Sequence, residues 1–249
     1  MARRSTFAVS RGLTVALFAL AVSGVSSRRY QCPRNDPELE KCVENVVNEL
    51  RPKLKSGDAE YKVPSLENLN IGDVHLVNIK DFHALAHNVI LSGLSDFVID
   101  KLRVDMKNRH IEFDVTVPKA NLDSEIDVDV KLLAVPVTDK GPVSGHAKNV
   151  KAHVSMKFDV IERRNKPAKI YFPSITAKVA VADYQATFKP ENPEKTPVTQ
   201  AINSVITSSR TEIVASMIPS LEKAIAEKLL EIANTVAKRF TYEELFPLQ

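Results

Sequence analysis

The stretch DSEIDVDVKL, residues 123–132, alternates acidic residues with apolar ones. Side chains of a β-strand point alternately to opposite faces, so this pattern predicts a strand with one acidic face and one apolar face. Carboxylates along one straight strand lie roughly 6.5 to 7 Å apart and diverge, which disfavours a single metal site. We therefore interpret the acidic face, from Asp123 to Asp129, as solvated, and we expect the apolar face to enclose something.

The same alternation of apolar and polar residues recurs between Ile71 and Phe188. It is clearest in residues 102–106, 111–117, 126–132, 150–160 and 177–181. Alternation of this kind predicts antiparallel strands that are buried on one face only. The segments KNRH (107–110), TDKGPVSG (138–145) and ERRNKPAK (162–169) are interpreted as hairpin turns.

Helical periodicity flanks this region on both sides. Residues 36–54 predict an amphipathic helix with Asp36 as its N-cap and Pro37 in the first helical position. A second helical pattern begins at Pro197 and continues to Phe240, which corresponds to about 60 to 66 Å if the helix is unbroken. A chain of this mass cannot enclose such a helix in a compact globule, so we expect a bend at Pro219 and an elongated domain.

The sequence thus predicts an α+β fold in which a highly curved antiparallel sheet wraps lengthwise around the long carboxy-terminal helix. The first part of that helix, VTQAINSVITSS (198–209), is uncharged and rich in small residues, which would leave room for an internal apolar tunnel. A solid, close-packed core built from the same residues is the alternative. The residues predicted to line the tunnel are Val115, Val117, Val128, Val130, Leu132, Met156, Phe158, Phe188, Ile202, Ile206, Ile213 and Met217.

Residues 1–27 predict a secretory signal peptide that is cleaved between residues 23 and 27. Arg3, Arg4 and Arg11 form its positive region, and LTVALFALAV (13–22) is its apolar core. Cleavage removes these three arginines and no acid, so the 34 Lys and Arg fall to 31 and equal the 31 Asp and Glu. A neutral mature chain lacks the basic excess of a nucleic-acid-binding protein, so no nucleic-acid partner is expected.

Residues 28–249 are predicted to form one secreted domain, and Cys32 and Cys42 are the two cysteines of the chain. Export exposes the chain to an oxidising compartment, where two cysteines ten residues apart are expected to form a disulfide. Closing this loop would stabilise the fold by about 2 to 3 kcal/mol.

No pattern in the chain predicts catalysis. There is no nucleophile elbow of the G-x-S-x-G type and no phosphate-binding glycine loop. His83 and His87 have the i, i+4 spacing of a zinc-binding pair, but the glutamate of the H-E-x-x-H motif and a third ligand are missing. We therefore expect no enzyme activity, no metal and no cofactor.

Four segments give the mature chain a family resemblance. They are the C-x9-C spacing with DPELE (36–40) between the cysteines, VPSLENLNI (63–71), SGLSDFVIDKL (92–102) and FTYEELFP (240–247). Together they resemble the takeout and juvenile-hormone-binding protein family of insects, within the tubular lipid-binding superfamily. The resemblance implies a secreted, non-enzymatic carrier of a hydrophobic small molecule, with juvenile hormone as one family ligand. One disulfide, where moth haemolymph hormone carriers have two, makes this chain takeout-like.

Three functions remain open from the sequence. The first is a monomeric carrier of one apolar molecule such as a terpenoid, a fatty acid or an odorant. The second is an extracellular lipid-transfer or lipid-sensing protein that contacts membranes, for which Arg163, Arg164 and Lys166 at a hairpin tip are the candidate contact. The third is a secreted interaction protein with a solid core and no ligand.

Overall fold

The structure, a computed structural model, describes residues 30–132, 135–189 and 196–248. The signal peptide predicted for residues 1–27 lies outside the described residues. The helices are α1 (Leu39–Ser56), α2 (Thr196–Ser208), α3 (Arg210–Ala237) and α4 (Tyr242–Leu245). The strands are β1 (Leu69–Asn70), β2 (Val74–Ile79), β3 (Phe82–Ser92), β4 (Val98–Asp105), β5 (His110–Leu132), β6 (Val135–Arg163), β7 (Lys166–Ala180) and β8 (Asp183–Phe188).

All eight strands belong to one antiparallel sheet with the central order β1-β3-β5-β6-β7. Three further strands extend it, because β2 pairs with β3, β4 with β5 and β8 with β6. The central strands β5 and β6 are 23 and 29 residues long, and they pair with each other along nearly their whole length. This curled sheet with carboxy-terminal helices confirms the predicted α+β single domain.

The apolar face of the two longest strands changes parity halfway along. In β5 the inward residues are odd-numbered up to Val117 and even-numbered from Ala120 onward. The ladder between β5 and β6 omits the pair formed by Pro118 and Asn149, and Asn149 has a positive φ of 50°. Proline cannot donate to the ladder, and such irregularities rotate and bend strands. The kink lets very long strands curl while keeping apolar side chains inside.

Helix α3 lies across the open side of this curled sheet. Its close backbone contacts are with β2 near one end and with β7 further along, which are strands on opposite margins of the sheet. The central strands β5 and β6 therefore face α3 from across the interior. At 28 residues, α3 is about 42 Å long. Among the described residues, no helix is long and apolar enough to cross a membrane.

Two local predictions are corrected by the structure, and two others are confirmed. Residues 138–145 are not a turn, since they lie within β6 and pair with β5 and, from Val143, with β8. The first helix begins at Leu39 and not, as predicted, at Pro37. Asp36 is not its N-cap, because the Asp36 carboxylate accepts the backbone N–H of Glu38 at 2.8 Å in a turn before the helix. The turns at 107–110 and 162–169 are confirmed, with positive φ at Arg109 and Asn165.

The long carboxy-terminal helix is interrupted at Ser209, ten residues before the predicted bend at Pro219. The Thr207 hydroxyl donates to the carbonyl of Asn203 at 2.9 Å, and the Ser208 hydroxyl donates to Val205 at 3.4 Å. Hydroxyl groups that bond back to the preceding turn compete with the helical backbone and bend helices. Pro219 is accommodated inside α3.

The disulfide loop and the carboxy-terminal segment meet at one end of the molecule. The predicted Cys32–Cys42 disulfide is present, and the Cys32 N–H donates to the carbonyl of Leu245 at 3.0 Å. The Arg34 guanidinium contacts Glu243 at 2.8 Å and lies 4.9 Å from the ring centroid of Tyr242. The disulfide loop and the FTYEELFP segment thus close this end together.

Candidate functional site

The interior between α3 and the sheet contains three apolar clusters that follow the helix from its start to its end. The largest, called here the packed end, contains inward residues of β2, β3, β5, β6 and β8 with α2 and the first half of α3. The middle section contains Val154, Ile175 and Ala177 with the centre of α3. The closed end contains Phe158, Ile170 and Ala237 with α4.

Side chains of the packed end are almost completely inaccessible. Val128 and Ile202 are 0 % exposed, and Phe188 is 1 % exposed. The side-chain amide of Asn203 fixes the end of β8 to α2 through two hydrogen bonds with the Phe188 backbone, at 3.0 and 2.9 Å. Such complete burial is typical of a close-packed protein core. Of the predicted tunnel residues, the packed end contains Val128, Val130, Phe188, Ile202, Ile206 and Ile213, with the half-buried Met217 at its edge.

The middle section is covered less completely, although its apolar side chains face one another across the interior. On the sheet, Phe113 and Met156 are only half-buried. On α3, Ile225 and Leu229 are also half-buried. Here the apolar surfaces of helix and sheet approach each other without excluding solvent from either side.

Two predicted residues of β5 lie beside the middle section. Val117 is buried but belongs to none of the three clusters of described residues, and Val115 is half-buried. Both side chains point to the inner face, as does the half-buried Ala152 that pairs with Val115 in the ladder.

Two further predicted residues lie at the extremes of the interior. Phe158 is 2 % exposed in the closed end, where its ring meets Phe172 edge to face with 6.4 Å between centroids. Leu132 ends β5, and its side chain lies outside the described residues.

A buried carboxylate in the packed end escaped the sequence analysis. Asp139 is 5 % exposed on the inner face of β6, where it pairs with Val128. Its Oδ1 accepts the backbone N–H of Lys140 at 3.0 Å. The residue was missed because TDKGPVSG was interpreted as a turn, in which an aspartate would be solvated.

A groove of about 500 Å³ crosses strands β4, β5, β6 and β7. Its walls are Asp100, Asp114, Val115, Thr116, Lys151, Ala152, His153, Lys178, Val179 and Ala180. Most polar groups in it already bind each other or a neighbour. His153 contacts Asp114 at 2.7 Å, Thr116 donates to Asp100 at 2.6 Å, and Lys178 pairs with Glu222 at 2.9 Å. Such satisfied pairs form a structural surface and leave few groups for a ligand.

The acidic row of residues 123–132 is confirmed as part of the outer face. Asp127 pairs with Lys140 at 3.0 Å and with His87 at 3.3 Å. The ammonium of Lys140 and then the imidazole of His87 lower the pKa of Asp127. His87 also lies 3.4 Å from Asp73, and its two carboxylate neighbours, Asp127 first, raise its pKa above the usual value.

The predicted histidine pair does not form a joint site. His83 and His87 lie on β3, where an i, i+4 spacing separates side chains by about 13 Å. His83 hydrogen-bonds to Asn78 at 2.7 Å, whereas His87 contacts Asp73 and Asp127. In the described ranges no cluster of His, Cys, Asp and Glu is arranged to hold a metal ion.

Comparison with known proteins agrees with this architecture. A solved structure, Epiphyas postvittana Takeout 1, is similar with a TM-score of 0.72 at 17 % identity, over 88 % of this chain and 100 % of that one. A Schistocerca gregaria protein described as a "Putative beta-carotene-binding protein" is 23 % identical over 214 residues, 86 % of each chain. The family model for haemolymph juvenile hormone binding proteins matches residues 13–247. The chain therefore belongs to the haemolymph juvenile hormone binding protein family.

Proposed function

We propose that this protein is a secreted carrier that binds one small apolar molecule between helix α3 and the central strands, without catalysis. The observation that carries the proposal is the half-buried state of apolar side chains on both sides of the middle section. Apolar side chains that remain partly exposed gain free energy when an apolar ligand covers them.

The ligand lining that we propose contains only part of the set of tunnel residues predicted from sequence. Met156, Met217 and Val115 retain exposure on the inner face and are available to a ligand, whereas Val128, Ile202 and Phe188 are already covered by protein. Methionine side chains are flexible and polarisable, so they adapt to ligands of different shape. We expect selectivity for length and apolarity more than for a particular head group.

The family and its relatives support an extended isoprenoid or acyl ligand. The family is named for juvenile hormone binding, and the Schistocerca gregaria relative is named for beta-carotene. Within the proposed site, such a ligand would contact Met156 on the sheet and Leu229 on α3. Burying about 300 Å² of apolar ligand surface at roughly 25 cal/mol per Å² contributes about 7 kcal/mol, from which the costs of association are subtracted.

Extracellular release is part of the same proposal. The Cys32–Cys42 disulfide fits an oxidising compartment, and family members are named for the haemolymph. The predicted signal peptide would direct the chain there.

Native mass spectrometry of the protein secreted from insect cells tests this function. We expect a stoichiometric adduct that is released by organic extraction and identified as an isoprenoid or acyl chain. A protein mass without adduct, unchanged after incubation with palmitic acid and farnesol, would contradict the carrier function and favour the solid-core interaction protein.

A Met156→Trp variant provides the structural control. Its indole ring would fill the middle section, so the adduct should be lost while the fold is retained. Retention of the adduct by the folded variant would place the ligand elsewhere.

A further inference from the structure

The hairpin between β6 and β7 extends beyond the apolar core. The closed end covers its inner side at Val160 and Ile170, and every residue from 161 to 167 is exposed. A hairpin that leaves the core in this way contributes little to packing, so its side chains are free to serve another purpose. We call residues 161–167, together with Tyr171, the basic tip.

The basic tip carries cations that have no partner in the described part of the chain. Arg163, Arg164 and Lys166 are exposed and take part in no ion pair among the described residues, with Glu162 as the acid beside them. Other turns and helix ends at this side of the molecule do carry ion pairs, such as Arg34 with Glu243. The positive charge of the basic tip is therefore not neutralised by ion pairs among the described residues.

Further positive charge surrounds the base of the basic tip. The Phe158 N–H donates to the carbonyl of Arg109 at 3.0 Å, which brings the β4–β5 turn with Lys107 to the same end. Lys169 donates to the carbonyl of Lys238 at 2.9 Å, which brings Lys238, just after the end of α3, there as well. Three separate segments thus bring cationic residues to the same end of the molecule.

Apolar side chains accompany these charges on the outer side of the hairpin. Ile161 is 37 % exposed and Tyr171 is 47 % exposed, both unusual for large apolar residues of this sheet. Ile161 pairs with Lys169 and Asp159 pairs with Tyr171, so Ile161 and Tyr171 are diagonal neighbours on one face. An aliphatic and an aromatic residue beside exposed cations form an amphipathic surface.

We propose that the basic tip binds an anionic lipid surface. Arg163, Arg164 and Lys166 would attract the negative head groups, while Ile161 and Tyr171 would enter the interface between head groups and acyl chains. An acidic polysaccharide would match the cations but would gain nothing from the apolar pair. The proposal goes beyond carriage of a ligand and stands whether or not the interior is occupied.

Vesicle sedimentation with the mature protein tests the proposal. Vesicles of phosphatidylcholine alone are compared with vesicles containing about one third phosphatidylserine, at about 0.15 M salt. We expect binding only to the anionic vesicles. Each basic residue near such a surface changes partition about fivefold, so R163Q/R164Q/K166Q should lower it at least tenfold.

A matched variant separates local charge from net charge. K80Q/K131Q/K189Q removes the same charge from exposed lysines away from the basic tip, and its partition should change less than twofold. The variant I161S/Y171S should weaken binding severalfold while leaving the salt dependence unchanged, because it removes apolar contacts only. All substituted residues are exposed, and circular dichroism checks that each variant is folded.

Three results would overturn the proposal. These are equal binding to neutral and anionic vesicles, equal losses in the two triple variants, and retention on immobilised heparin without any vesicle binding. The last result would assign the basic tip to an acidic polysaccharide.

Discussion

The packed end and the middle section share one helix and one sheet, yet their side chains are covered to very different degrees. In the packed end Val128 and Ile202 are completely inaccessible. In the middle section the facing residues Met156 and Leu229 remain half-buried. The packed end therefore supplies stability, whereas the middle section retains the accessible apolar surface to which we assign the proposed ligand.

Removing a large side chain from the packed end should have the largest effect. Phe188→Ala leaves a cavity in a region without spare space, so it should lower the free energy of unfolding by about 3 to 5 kcal/mol. Met156→Ala in the middle section should cost about 1 to 2 kcal/mol, because that side chain is only half-buried. Urea unfolding of both variants measures the contrast. Equal losses would erase the distinction between the two regions.

Enlarging one alanine in each region tests the same difference in packing, because it adds side-chain volume where the previous variants remove it. Ala86 is 0 % exposed in the packed end, whereas Ala152 is half-buried beside the middle section, and both point inward. Overpacking a dense core costs about 1 to 3 kcal/mol, so Ala86→Leu should destabilise by that amount. Ala152→Leu should cost less than about 1 kcal/mol and should weaken ligand binding. If Ala152→Leu destabilises as much as Ala86→Leu, the middle section is a close-packed core.

The smallest expected effect concerns the outer face of the packed end. The carboxylates of Asp127 and Asp73 raise the pKa of His87, so its charged form stabilises the fold below the usual histidine pKa of about 6.5. This contribution is lost as the pH rises through the raised value. An NMR titration, assigned with His87→Gln, should show His87 titrating above about 6.5 and shifting down in Asp127→Asn. A His87 that titrates at or below 6.5 in the wild type would contradict this network.

Most of the architecture follows from the sequence because periodicity survives in each long element. The alternation in residues 126–132 and the helical spacing before Phe240 correctly predicted a sheet around a helix. The Cys32–Cys42 disulfide was predictable because the chain has two cysteines, and in the predicted oxidising compartment each has the other as its partner.

Other features depended on tertiary contacts that local sequence does not encode. TDKGPVSG contains strong turn formers, but its pairing with β5 and β8 holds it in a strand. A pattern of apolar residues at every second position does not predict the parity change at Pro118 and Asn149. The kink there moves the inward side chains from odd-numbered to even-numbered residues of β5. The sequence also did not predict that Val128 is fully buried and Met156 only half-buried, since both occupy apolar positions of alternating strands.

Methyl NMR of methionine tests the central claim most directly. The chain has four methionines, and the structure describes Met106, Met156 and Met217. Met156 packs against the middle section, whereas Met217 packs against the packed end and Met106 against the closed end, so these two serve as internal references. On titration of delipidated protein with palmitic acid and farnesol, the methyl signal of Met156 should shift most, while that of Met106 stays in place. Unchanged signals from all three methionines, or a shift of Met106 alone, would contradict a ligand between α3 and the central strands.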